Sequence, residues 1–160
     1  MDFGYEKSFE HAWKYFEIHT QQRMTVFNFF LVTTGLVSTG IGICIQQGGL
    51  FYLLSSILSF FLLLVSFIFW KLDKRNSMLI KSAETALKSL EKSMPDPYLQ
   101  IFINDFSATK NLNKIFSAWT FGRCFRITFI IVGSVSFCSS LFSFFYILIK
   151  GDFILLSISL

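Results

Sequence analysis

His11 and His19, with Cys44, Cys124 and Cys138, are the side chains of this sequence best suited to acid–base, nucleophilic or metal chemistry. Their spacing argues against all three. The histidines stand eight residues apart, about two helical turns, and need not share a face. An RNA-cleaving helical domain would place a histidine shortly after an arginine, yet both histidines precede Arg23, the first arginine of the chain. Cys44 and Cys138 fall within apolar stretches and Cys124 near the edge of one. No two of them form a Cys-x-x-Cys pair, no His or Asp stands close enough to complete a metal site, and no disulfide framework is expected. Glycine-rich phosphate loops and nucleophile elbows are absent as well. The expectation is no enzyme, no metal and no cofactor.

The chemistry that remains is non-covalent. Thr25, Asn28, Val32, Gly35, Thr39, Gly42 and Gln46 recur at intervals of three and four. One stripe of a helix is then small or polar, while Phe27, Phe29, Phe30, Leu31 and Leu36 occupy other faces. In lipid such a stripe has two uses. Small residues let helices approach closely and hydrogen-bond, or the stripe faces water in a pore formed by several copies.

A second constellation lies at the ends of the apolar stretches. Trp13, Glu17 and Arg23 occur in the run WKYFEIHTQQRM, and Trp70, Asp73 and Arg75 in FWKLDKRN. If the two runs meet on one side of a membrane, Glu17 and Asp73 can pair with Arg23 or Arg75. Solvated pairs of this kind contribute about 0–1 kcal/mol, and burial changes that balance. Anchoring side chains that snorkel to the membrane surface are the competing reading.

These residues are positioned by the charge pattern. Between Arg23 and Lys71 there is no Asp, Glu, Lys or Arg, and the stretch is broken once, by Gln46-Gln47-Gly48-Gly49. A bilayer core about 30 Å thick is crossed by a helix of roughly 20 residues. Met24–Ile45 and Leu50–Trp70 both reach that length. With no water to satisfy the backbone, each must be helical, and the glycine break must be a turn. Ile127–Ile149 forms a third charge-free span. Small residues recur there too, Ser134, Ser136, Ser139, Ser140 and Ser143 with Gly133 and Cys138, which predicts close helix packing. Neither the first nor the third span carries an ionisable residue at its centre, so a proton-coupled transporter is not expected.

The 160 residues, 53% of them hydrophobic and 22 of them Phe, agree with a membrane protein. The net charge of +4 invites a nucleic-acid reading, but the basic residues flank the spans and no readout motif is present. Lys7, Lys14 and Arg23 precede the first span, and ten more basic residues lie between the second and third. The turn holds none. The positive-inside bias therefore predicts a cytoplasmic N-terminus and an external C-terminus. No cleavable signal peptide is expected, since the first apolar run begins only at residue 24, behind Asp2, Glu6, Glu10 and Glu17.

Phe9, Trp13, Phe16 and Thr20 predict a helix with one buried stripe that runs into the first span. It could pack against its own chain or lie in the headgroup belt. Leu79, Ala83, Ala86, Leu87, Leu90 and Met94 predict that the second helix continues out of the bilayer until Pro95 and Pro97 end it. Two further helices are predicted over 98–106 and 108–126. The expected plan is an all-α, polytopic membrane protein. It comprises a cytoplasmic amphipathic helix (1–23), a transmembrane hairpin (24–70), a cytoplasmic helical segment (71–126), a third transmembrane helix (127–149) and an external tail (150–160). The cytoplasmic bundle is too small to stand alone, so copies of the chain are expected to complete it as a homo-oligomeric ring.

The junction runs, the hairpin between them and the helical extension through Glu84 resemble the small bacterial membrane proteins grouped around RipA, described as octameric. More loosely, they are similar to the SLATT-type membrane effectors of bacterial conflict systems. The resemblance covers roughly the first 95 residues and implies an inner-membrane homo-oligomer. It implies further a pore-forming accessory role beside CRISPR-type or nucleotide-signalling antiviral systems. The degenerate Arg-to-His nuclease-like motif of one CRISPR accessory protein is missing here. The expectation is a gated pore or ion channel, or a membrane-perturbing effector, whose partners are itself, membrane lipid and a cytoplasmic defence protein, without direct nucleic-acid binding. A non-conducting scaffold that recruits a cytoplasmic partner is the alternative.

Overall fold

The computed structural model describes the backbone of residues 3–110 and 120–158. Among these residues there are four α-helices: α1 (Phe3–Gln47), α2 (Phe51–Glu91), α3 (Ile101–Lys110) and α4 (Phe121–Ile158), with a 3₁₀ turn at Pro97–Leu99. No strand occurs among the described residues. Three segments of the described residues are long and apolar enough to cross a membrane, Gly4–Gln47, Phe51–Glu91 and Phe121–Lys150.

Local chemistry sets the breaks. Neither proline of the chain lies within α1 or α2, so each continues until something stops it. At the end of α1, Gly48 and Gly49 adopt φ of 69° and 59°, a left-handed conformation that costs other residues a Cβ clash. The Gly48 N–H donates to the Cys44 carbonyl at 3.3 Å, which closes the helix as a left-handed cap. Past α2, Pro95 blocks continuation, and the Asp96 carboxylate accepts from the Tyr98 N–H at 2.9 Å to start the 3₁₀ turn.

The chain divides into two compact units. The apolar unit, residues 26–71 and 125–160, holds the membrane-spanning parts of α1, α2 and α4. Its core contains Phe30, Ile41, Cys44, Leu62, Val65, Phe125 and Phe129. The rings of Phe27 and Phe125 stack at 3.9 Å, and Phe129 meets Phe30 edge-on at 4.7 Å. The charged unit, residues 1–25 and 72–124, holds the other ends of α1 and α2 with α3. Ala12, Ile80, Ala83 and Leu87 form its apolar core. Phe102 of α3 packs edge-on against Phe16 at 5.3 Å and Trp13 at 6.1 Å. The N-terminal stripe thus serves to pack against its own chain.

Several expectations are corrected. The predicted helix at 98–106 begins at Ile101, because Tyr98 and Leu99 belong to the 3₁₀ turn. The predicted helix at 108–126 is not one element: Ala108–Lys110 close α3, residues 111–119 lie outside those described, and Thr120 is non-helical. The Thr120 carbonyl accepts from the N–H groups of Arg123 and Cys124 and so starts α4. The expected tail at 150–160 is no separate element through Ile158, since α4 continues that far; residues 159–160 lie outside the described part. The α2 stripe is also rotated. Ala86 is exposed, whereas Ile80 is buried together with Asp73, Asn76, Ser77 and Glu91.

Candidate functional site

The small-polar stripe lies on the solvent- or lipid-facing side of α1. Thr25, Asn28, Val32, Gly35, Thr39 and Gln46 are exposed and Gly42 is half-buried. A Cβ built at Gly35 or Gly42 would meet no atom within 4 Å. Phe30, Ile41 and Cys44, which are buried, occupy the opposite side of the helix at about 100° per residue. The first span is also the least covered within the protomer, 11% buried against 22% for each of the other two. Thr25 and Thr39 return their hydroxyls to the carbonyls of Gln21 and Gly35, so these two hydroxyls are satisfied within their own helix.

The serines of α4 have a different fate. Ser143 pairs with Ser55 at 3.2 Å, Ser139 with Ser59 at 3.0 Å, and Ser140 with Ser56 at 3.4 Å. Further along the same face stands Gly133, where a Cβ would lie 3.6 Å from the Ser66 Cβ. Position 133 is therefore a notch in α4 rather than another rung. The spacing of Ser55, Ser56 and Ser59 on α2 is the sequence signal for this ladder, since serines at helical intervals on both spans can face one another.

At the edge of the charged unit the junction residues separate. The Arg23 Nε donates to Asp73 Oδ1 at 2.6 Å, with side chains 13% and 3% exposed. The contact is single-pronged: among the described residues, Asp73 Oδ2 has no hydrogen-bond partner. Gly122 completes the arrangement, because a Cβ there would stand 2.9 Å from Arg23 Nη2. Glu17 and Arg75 are exposed and form no ion pair among the described residues. Trp13 is 45% exposed beside Phe102. Trp70 is half-buried in the apolar unit, with Lys71 Nζ 5.4 Å from its ring centre.

Glu91 carries a role that its place beside an apolar stripe does not announce. It is 2% exposed, and its two carboxylate oxygens accept from the N–H groups of Phe102 and Ile103, both at 3.1 Å. These are donors of the first turn of α3, which have no partner within their own helix, and a carboxylate there also meets the positive end of the helix dipole. Among the described residues, no group of three or more His, Cys, Asp or Glu side chains is arranged to hold a metal.

The family described as "Octameric membrane protein family (8xMP)" matches the chain over residues 6–152. A relative from Escherichia coli, "CD-NTase-associated protein 19", is 50% identical over 133 residues, covering 83% of this chain and 88% of its own. No solved structure matches the chain.

Proposed function

The chain belongs to the octameric membrane protein family, and on that premise we propose that it is a membrane effector of nucleotide-signalling antiviral defence. Copies gather into a ring that acts as a gated pore or otherwise perturbs the membrane. The observation that carries this reading is the α1 stripe: polar and small residues run the length of a span and, among the described residues, all but the half-buried Gly42 are exposed. Polar positions within a span are expected to face a bundle interior or water. The name of the Escherichia coli relative, CD-NTase-associated protein 19, supports the signalling context.

The proposal puts the protein in the bacterial inner membrane with its N-terminus and charged unit in the cytoplasm, as the basic flanks suggest. Its partners are other copies, lipid and a cytoplasmic defence protein, and it includes no catalytic step. Kinship with the RipA group or the SLATT-type effectors is part of the same proposal. Planar-bilayer recordings of the purified octamer, with dye entry into infected cells, test it. Thr39→Leu is expected to lower conductance and dye entry without loss of the octamer. Failure of the unaltered protein to pass ions or admit dye in either setting overturns the pore.

A second reading, a non-conducting scaffold that recruits a cytoplasmic partner, is favoured by the serine ladder. There, small residues within a span serve only to join two helices. A ring whose centre is sealed by lipid or apolar side chains supports the scaffold.

A further inference from the structure

We infer that, in the octamer, the α1 stripe from Asn28 to Gly35 of one copy packs into a groove between α2 and α4 of the next. The groove has a volume of about 260 Å³ and is lined by Leu63, Ser66, Phe67 and Trp70 of α2, with Gly133 and Ser134 of α4 among its other walls. It lies wholly within the apolar unit.

Depth is the first reason. The contact of Gly40 with Leu58 at 3.6 Å and of Phe30 with Phe69 at 5.4 Å fix which residues of α1 and α2 are level. By that register Asn28 is level with Trp70, Val32 with Ser66 and Phe67, and Gly35 with Leu63. A ring whose axis is the membrane normal keeps every residue at its own depth. The stripe of one copy therefore meets the groove of the next rung by rung.

Shape and symmetry agree. Gly35 leaves an open notch, and small residues let spans approach closely. Ser66 is 3% exposed and its hydroxyl has no hydrogen-bond partner among the described residues. A lipid tail offers that hydroxyl nothing, whereas an incoming helix, level with it at Val32, brings backbone carbonyls that each keep a second lone pair. Because stripe and groove are different surfaces, the contact is head-to-tail, and repetition by rotation closes a ring, as an octameric family requires. Thr39 and Gln46 lie beyond the groove, toward the turn, and stay available to the water path proposed above. The inference rests on family membership and not on conduction.

Cysteine cross-linking in isolated membranes tests it, in a background where Cys44, Cys124 and Cys138 are replaced by serine. Gly35→Cys with Ser134→Cys, oxidised together, is expected to give a ladder of covalent multimers ending at eight copies, and neither single variant is expected to cross-link. Disulfides form only where Cα atoms approach to about 4.4–6.8 Å, so the readout is local. Val32→Cys with Phe67→Cys is the second pair, and Leu50→Cys, on the exposed turn, is the assembly control. Loss of the octamer in both pairs but not in the control also supports the interface. An intact octamer with no ladder overturns it and leaves the groove to lipid. A dimer from Gly35→Cys alone overturns it too, because the stripes of two copies then face each other. Leakage assays do not enter this result, so its failure is distinct from failure of the pore.

Discussion

The two units bury polar side chains of different kinds. In the charged unit the buried polar residues are Asp73, Asn76, Ser77 and Glu91, and in the apolar unit, among the described residues, they are all serines. An ionised group at the centre of a membrane helix costs about 2.5–3.5 kcal/mol or more. A hydroxyl costs far less and finds a second hydroxyl at once. A charge-free span is thus not free of polarity: its polar groups are neutral, short and, along the ladder, matched across two helices. Outside the span, full charges are tolerated where another charge or a helix end receives them.

This contrast is broken most directly at Asp73. Asp73→Ala removes the carboxylate that faces Arg23 and leaves that guanidinium largely buried, which is expected to cost about 3–5 kcal/mol. Thermal unfolding of the purified assembly measures the loss, and Arg23→Met with Asp73→Leu should recover part of it. If the single variant is as stable as the parent, the junction pair is only a surface contact.

Glu91→Ala sharpens the comparison at a helix end. Two hydrogen bonds to a charged acceptor disappear, each contributing about 1.5–3 kcal/mol, and the cost falls on α3. Hydrogen exchange should accelerate in Ile101–Lys110 while the apolar unit is unchanged. Equal exchange in α3 before and after substitution would show that its first turn does not depend on Glu91.

The smallest effect belongs to the serine ladder. Hydrogen bonds between membrane helices average about 0.6 kcal/mol, so Ser59→Ala should barely alter unfolding. Ser59→Leu, which wedges α2 from α4, should alter it clearly. A large loss from Ser59→Ala would mean that the hydroxyl pairs, rather than the close approach, hold the two spans together.

Much of the fold was legible because lipid restricts the options: an uncharged run of sufficient length must be helical, and a paired glycine break must be a turn. The helix starts were less legible. Thr120 begins α4 through its carbonyl, and although threonine is favoured at a helix start, Ser117 and Thr109 nearby are equally suitable types, so residue type alone does not choose among them. Of the junction residues, Arg23 and Asp73 were readable as candidates by charge alone, but their selection over Glu17 and Arg75 depended on which side chains the packing buried. Gly122, distant from both in the chain, gave no signal until the Arg23 guanidinium lay against it.

The sequence by itself determined that this chain is an all-helical membrane protein with three spans, because charge-free length and the backbone's need for hydrogen bonds leave lipid no other solution. Only the tertiary structure decided which small residues are already engaged. Periodicity marks a face of a helix but not what covers it, so the stripes of α1 and α4 read alike in sequence. In the fold, the α4 serines meet α2, whereas among the described residues the α1 stripe is exposed at every position but Gly42, which makes α1 the surface left for assembly.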